Sequence, residues 1–534
     1  MKEYPFSQQA LGNIIRDKAE ACGEKTFLEY EDGSTVTYRE LDTLTNRIGN
    51  GLGKLGLKKG EFLATFLPNS LDSVFLWFGA AKAGIIEVPI NLANKGSYLS
   101  HILNNSDCKA IVIQRDLLDR LEAVQDEVPK LEMAIVRSQP GEGGPLPKLK
   151  FPTVDYGELL GASAECLDVP VKAKDPQMVI YTSGTTGAAK GVIDSHAQIY
   201  LSAREYAEAT QATERDILFT FLPLFHANAR ILCIYVALLL GTKVVIYEKF
   251  SASRFWDQVR KHKATMFNSL GAVAQFIYNQ PRKQDDSDNP IRVCAAYPMP
   301  PEIYEDFEKR YNLKVVEGYG LTELAIITYN PWDSPKPGSC GKETESFEVR
   351  IVDEDDFPVP TGTVGEIVAR GRLPWATAME YQNMPDKTVE LVRNHFYHTG
   401  DAGYLDEDGY LFFKDRIKDY IRRRGENISS AEIEKVVNSH PGVAESAALG
   451  VKSELSEDEV KIAVVLKPGE KLAPEELLDY CSDRMPYFAV PRYVEYVEAL
   501  PKTANEKVQK AKLREIGITL NTWDRERVGY KVKK

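Results

Sequence analysis

Short apolar runs alternate with amphipathic segments over most of this chain. Residues 61–67 read as a strand, and 71–83 as a helix with Val74, Phe75, Phe78 and Ala81 on its apolar side. A strand follows at 85–90, then strands at 110–113 and 133–136 around a helical stretch at 117–128. The rhythm resumes with strands at 217–222, 243–248, 265–268 and 292–296, each with a helical segment after it. The helix over 253–262 has a serine cap candidate in Ser251 or Ser253. Such alternation predicts parallel α/β sheets with ligand loops at the strand ends. There is no short internal repeat, although two α/β layers could be related halves.

Near Glu348 the pattern changes. Strands at 347–352, 365–370 and 404–414 are punctuated by the turn-rich stretches DEDDFPVPTGT and DEDGY, which predicts a small antiparallel section. Residues 415–427 are charged and short of apolar positions, with a turn at Gly425. Ser429 and Glu432 then have the spacing of a capping box. Helices at 431–438 and 474–484 alternate with strands at 447–451, 460–466 and 493–497. A domain boundary is expected at about 413–418, dividing 1–414 from 415–534, with a peripheral tail beyond Leu513.

Composition narrows the classes. A chain of 534 residues allows three or four units of ~150 residues. A net charge of −12, from 66 basic and 78 acidic residues, argues against broad nucleic-acid binding, which needs a basic face. The seven cysteines are scattered and never form a C-x-x-C pair, which fits a reducing compartment and offers no zinc site. The N-terminus lacks a signal-peptide pattern, and Lys531–Lys534 are not a peroxisomal address. The longest apolar stretch, 231–240, falls short of the ~20 residues needed to span a bilayer. A cytoplasmic enzyme with no integral membrane segment is the expectation.

The chemistry concentrates first in residues 181–192, YTSGTTGAAKGV. Thr182, Ser183, Gly184, Thr185, Thr186, Gly187 and Lys190 follow directly on the apolar run 178–181. This reads as a buried strand ending in a loop whose N–H groups and hydroxyls hold phosphate, with Lys190 as a mobile point charge. The spacing is not that of a Walker A loop. The bland alternative is a flexible linker.

Four weaker segments join it. GYGLTE, at 318–323, follows a strand at 314–316 and offers a tyrosine between glycines, the Thr322 hydroxyl and Glu323 as a hard ligand for Mg²⁺. The alternative is a glycine-rich turn carrying a surface acid. Thr399-Gly400-Asp401 follows a strand-like 394–398 and places a carboxylate where it could bind two ribose hydroxyls, or simply cap a hairpin turn. Asp415-Arg416-Ile417-Lys418-Asp419 offers a phosphate or ribose ligand in Arg416, or is a solvated charge run. LPKTANEKVQK, at 500–510, carries Lys502, Lys507 and Lys510.

In their order and combination these segments resemble the adenylate-forming superfamily of acyl-CoA synthetases, peptide-synthetase adenylation domains and luciferases. The resemblance covers about 26–513 and looks most like the carnitine/crotonobetaine-CoA ligase branch. It implies an α/β fold with a large N-terminal domain of two α/β subdomains plus a small β-barrel, and a smaller mobile α+β C-terminal domain. It implies ATP, Mg²⁺ and coenzyme A as reactants or cofactors, a small carboxylic acid as substrate, and no nucleic acid; a homodimer is compatible with it. By matching position, the loop 182–190 should hold the β- and γ-phosphates. Tyr319, between Gly318 and Gly320, should stack on adenine, with Ala296 and Tyr297 beside it. Thr322 should touch the α-phosphate, Glu323 should bind Mg²⁺, and Asp401 with Arg416 should hold the ribose. Lys507 matches the catalytic lysine, Lys418 the hinge, and His226 in Pro223-Leu224-Phe225-His226 the acyl site. Arg424 and Gly425 could meet CoA.

Two segments depart from the family pattern. Glu506 stands where the family usually has Gly before the lysine, and Ala295-Ala296-Tyr297-Pro298 replaces a Gly-Gly-Ala-Pro-like segment. His226, rather than the Asp common after that Phe in amino-acid-activating domains, favours an acid–CoA ligase. So does the lack of a carrier domain after Lys534. A free-standing enzyme loading a carrier protein is the second reading, and a non-catalytic acyl- or nucleotide-binding relative the third. The acyl site should involve 226–230, 269–272, 295–297 and 318–320, with Asn228 and Arg230 hinting at polarity unless Arg230 faces solvent.

Overall fold

The computed structural model describes residues 1–139, 141–142, 146–182, 189–416, 421–423, 426–452, 458–485, 487, 489–503 and 506–532, with backbone only at 271, 272, 416, 422, 426 and 427. Ser183, Gly184, Thr185, Thr186, Gly187, Lys418, Arg424, Gly425 and the Arg416 side chain therefore lie outside the described residues.

The front of the chain folds into a seven-stranded sheet. Its order is Thr153–Asp155, Met133–Arg137, Cys108–Gln114, Phe62–Phe66, Ile86–Pro89, Pro176–Thr182 and Lys190–Ser195. Neighbours run parallel except the last two, which form an antiparallel hairpin. The predicted helix is found at Leu71–Ala83. Ser70 accepts from the Ser73 N–H to start it, and Gly84, at φ 67, ends it. Residues Ser73 to Ala83 are all buried, because this helix fills the core shared by both large sheets. Trp77, 1% exposed, anchors that core; its loss to alanine should cost about 4 kcal/mol.

The second sheet has nine strands. Its parallel centre is Lys314–Leu321, Val293–Tyr297, Met266–Leu270, Ile217–Thr220, Lys243–Ile246 and Thr26–Tyr30. Antiparallel strands close both edges, Ala325–Tyr329 and Lys342–Glu343 on one side and Thr35–Thr37 on the other. The antiparallel section after Glu348 is a five-stranded sheet, a half-barrel, built from Phe347–Val352, Gly365–Gly371, Val392–Arg393, Phe396–Leu405 and Leu411–Arg416. The smaller C-terminal domain packs helices Ser430–Asn438 and Pro474–Ser482 on a four-stranded sheet of Val443–Lys452, Asp458–Leu466, Tyr493–Tyr496 and Trp523–Asp524.

Several local expectations are corrected. The helix expected at 253–262 begins at Phe255, and neither serine caps it; Ser251 Oγ instead accepts from Arg254 Nε. Ser429 does cap the next domain's helix, but Glu432 pairs with Lys414 at 3.0 Å rather than completing a capping box. The tail is not peripheral, since Trp523–Asp524 adds an edge strand and buried Arg525 donates to the Val490 and Pro491 carbonyls. Among the described residues, no helix is long and apolar enough to cross a membrane.

Candidate functional site

The strands Pro176–Thr182 and Lys190–Ser195 flank residues 183–188 and form an antiparallel hairpin. Thr182 and Lys190 face each other across it. Gly191 is required by close packing, because a Cβ there would lie 2.7 Å from Val179 Cγ1 and 2.8 Å from Tyr181 Cζ. Backbone bonds to the segment 379–382 then extend the hairpin: Met379 N–H donates to Ile193, Ile193 N–H to Glu380, and Gln382 N–H to Gly191. This brings Tyr381 beside Val192 and Lys190. The Lys190 ammonium lies 4.8 Å from the Tyr381 ring centroid, a cation–π contact. The Tyr381 hydroxyl donates to Glu323 Oε1 at 2.6 Å.

Lys190, Glu323 and Tyr381, far apart in sequence, thus form one cluster. Glu323 is 9% exposed, not a surface acid. Asp194 lies behind it, fully buried; burial and then the Glu323 charge raise its carboxyl well above the ordinary range. Burial, with the same charge, also raises the Tyr381 hydroxyl. Thr322 is half-buried, and its carbonyl accepts from Gln198 Nε2 at 3.4 Å.

A second cluster forms where the nine-stranded sheet meets the half-barrel. GYGL is not a loop after a strand; it is the end of the strand Lys314–Leu321. Its glycines serve the return strand. A Cβ on Gly320 would fall 1.9 Å from the Ala325 carbonyl oxygen, and one on Gly318 2.8 Å from that of Thr328. Asp401 likewise lies inside the strand Phe396–Leu405, past Gly400 at φ 69, rather than in a turn. The Tyr319 hydroxyl donates to Asp401 Oδ2 at 2.7 Å. Asp401 is register partner to the Arg416 backbone, so Tyr319 of the nine-stranded sheet meets the half-barrel at Asp401. Ala296 is fully buried and pairs with Glu317, while Tyr297 is half-buried beside it.

His226 stands at the start of the short helix Ala227–Ala229, its ring 4.5 Å from that of Phe225. Lys507 is exposed on a hairpin of the C-terminal domain closed by the Lys502–Val508 bridge. The Thr503 N–H donates to the Lys507 carbonyl at 2.7 Å. Glu506 takes φ 60, the left-handed backbone that glycine adopts without strain.

The model of the AMP-binding enzymes matches residues 15–381, and that of the AMP-binding enzyme C-terminal domain matches 432–507. The chain belongs to the AMP-binding enzyme family. Crotonobetaine/carnitine–CoA ligase of Salmonella typhimurium is 31% identical over 521 residues, 95% of this chain and 99% of that protein. Among solved AMP-binding enzymes, an anthranilate CoA ligase in complex with anthranoyl-AMP is 26% identical, with a TM-score of 0.85 over 97% of this chain and 99% of that one. ATP-bound MatB from Rhodopseudomonas palustris is 26% identical, with a TM-score of 0.86 over 95% and 99%. The O-succinylbenzoate coenzyme A synthetase of Bacillus subtilis with its acyl-adenylate gives 0.82 at 26% identity over 96% and 99%.

The sequence reading missed Asp194, Gln198, Tyr381 and Glu317. Asp194 carries one signal, a lone acid in the apolar run 192–193 of an edge strand. Glu317 is 3% exposed and accepts from the Met299 N–H at 3.1 Å, and burial pushes its carboxyl up to about 7. Arg230 does not face solvent; it is buried against Glu87.

Proposed function

We propose that this AMP-binding enzyme is an ATP-dependent carboxylic acid–CoA ligase. The carboxylate attacks the α-phosphorus of ATP, giving an acyl-adenylate and pyrophosphate. The thiol of CoA then displaces AMP to form the thioester. The observation that supports this most is the convergence of Lys190, Tyr381 and Glu323 beside the Thr182 end of the loop. In this reading Thr182, Ser183, Gly184, Thr185, Thr186, Gly187 and Lys190 hold the terminal phosphates, where fixed donors and a cation offset charge. Ala296, Tyr297, Gly318, Tyr319 and Gly320 take the adenine, Asp401 and Arg416 the ribose, and Thr322 the α-phosphate. His226 borders the acyl group. Lys507 neutralises the carboxylate and α-phosphate during adenylation, and rotation at Lys418 withdraws it so that CoA can enter past Arg424 and Gly425.

The donor set suits Mg²⁺. Among the described residues no cluster of three metal-ligating side chains exists, and Mg²⁺ in nucleotide sites takes one or two carboxylates plus phosphate oxygens and water. Glu323 would hold it, with Tyr381 orienting that carboxylate. The ion would supply charge neutralisation on the triphosphate. The domains divide at 414/415, the enzyme acts in the cytoplasm, and it is compatible with a homodimer.

Acid-dependent pyrophosphate release, with hydroxylamine trapping of the adenylate, tests this over a panel of acids. Release that depends on the acid, followed by thioester formation on adding CoA, is expected. No acid-dependent consumption of ATP would overturn it. AMP and pyrophosphate without a thioester would move the acceptor to a carrier protein.

A further inference from the structure

Of three adjacent parallel strands, Met266–Leu270 and Val293–Tyr297 end side by side, and Lys314–Leu321 runs on past them. Ligands of open α/β sheets bind over such carboxyl ends. The polar groups there are arranged in a definite order. The fully buried Tyr206 hydroxyl donates to Asn268 Oδ1 at 2.5 Å. Asn268 Nδ2 donates to Asn228 Oδ1 at 2.7 Å and faces the Leu232 carbonyl at 3.5 Å. A backbone carbonyl can only accept, so it fixes which Asn268 atom is the nitrogen. The donor direction of the chain follows. Asn228, half-buried two residues past His226, has its oxygen occupied and its Nδ2 left as a donor. Among the described residues no other hydrogen bond of the Asn228 side chain is present.

The nearby cation is not available to a ligand. Arg230 binds both oxygens of Glu87 and also donates through Nε to the Leu224 carbonyl. Thr65 Oγ1 donates to Glu87 at 2.6 Å, and the guanidinium lies 5.0 Å from the Trp77 ring centroid. Both side chains of the ion pair are at most 3% exposed. Its charge is internally matched, and a neutral amide donor remains.

We infer that Asn228 is a specificity-determining residue that selects monocarboxylic acids bearing a neutral hydrogen-bond acceptor, a hydroxyl or carbonyl, in the acyl part. This deepens the acid–CoA ligase reading and rests on it. A half-buried donor that a bound acyl chain covers without offering an acceptor disfavours a plain alkyl chain, and the spent charge of Arg230 gives no partner to a second carboxylate.

The test is kcat/KM for pyrophosphate release by the full-length enzyme with butyrate, 4-hydroxybutyrate, 4-oxopentanoate and succinate. The hydroxy or oxo acid should lead butyrate and succinate by about tenfold, as one hydrogen bond predicts. Asn228→Leu should erase that lead through a raised KM for the acceptor-bearing acids; Asn228→Ser should restore part of it. Thermal melting and ATP affinity identify a variant that has not folded, and the wild-type ranking stands as a test without any variant. A wild-type lead for butyrate or succinate overturns the inference, as does a ratio unchanged in a folded Asn228→Leu. If no acid supports turnover, the ligase reading falls and this inference with it.

Discussion

Two lysines in this molecule are mounted in opposite ways. Lys190 sits on a hairpin tightened by Gly191, joined by backbone bonds to the segment carrying Tyr381, and it faces that ring. Lys507 projects from an exposed hairpin whose turn holds Glu506 at φ 60. The Glu506 carboxylate lies 3.5 Å from Lys502, which pairs more closely with Glu445 at 2.7 Å. The first mounting suits a phosphate ligand that must stay in place. The second suits a charge delivered for one step and then withdrawn. Among the described residues, the helix Ser430–Asn438 meets the N-terminal side through the polar pairs Lys414–Glu432 and Lys435–Glu302, the latter at 2.8 Å. Such a contact can be exchanged more readily than a packed apolar one.

The rigid end is broken most severely at Glu323. Glu323→Gln should lower acid-dependent pyrophosphate release about a thousandfold by removing the carboxylate that Tyr381 orients. Tyr381→Phe should produce a much smaller loss that extra Mg²⁺ partly offsets. Equal activity in Glu323→Gln would place the metal site elsewhere.

The same end carries a buried acid that sharpens the contrast. Glu317 titrates near 7 when folded, because burial disfavours its charge, against an ordinary value of 4.5. The folded state therefore holds its proton more tightly than the unfolded chain. Stability from this group is full below about pH 4.5 and is lost as pH rises to about 7, by about 3 kcal/mol. Denaturant melts across that range should show the N-terminal domain losing stability in wild type and losing less in Glu317→Gln. Identical pH slopes would contradict the assignment.

Asp401→Asn comes next. The substitution keeps the Tyr319 contact but weakens the ribose acceptor, so KM for ATP should rise about tenfold with kcat little changed. A fall in kcat alone would contradict a binding role. The smallest effect is expected at the exposed hairpin of the C-terminal domain. Glu506→Gly should relieve about 1 kcal/mol of left-handed strain, raising the unfolding midpoint of the C-terminal domain without touching that of the N-terminal one. A destabilised C-terminal domain would show that the carboxylate's contact with Lys502 outweighs the strain.

Regular periodicity made much of the fold legible. The helix Leu71–Ala83 is bounded as read, because Ser70 and Gly84 mark its ends. The strand Lys190–Ser195 was not legible, since its apolar run is only Val192–Ile193 before Asp194 interrupts it. The edge strand Trp523–Asp524 is too short to carry a period. The motifs single out Thr182, Lys190, Tyr319, Glu323 and Asp401 as candidates, and the structure groups Lys190 with Glu323 through Tyr381, and Tyr319 with Asp401. Tyr381, Asp194 and Glu317 were not readable. Their chemistry arises from segments far apart in the chain that meet only after folding, and an isolated Tyr or Asp gives no sign of its future neighbour.

The contrast between the two lysines is tested most directly by measuring both half-reactions in Lys507→Ala. Single-turnover adenylation should fall about a thousandfold, while thioester formation from supplied acyl-adenylate and CoA stays within about twofold of wild type, as expected for a group withdrawn before the second step. Parallel loss of both half-reactions would contradict an exposed lysine that serves one step and leaves.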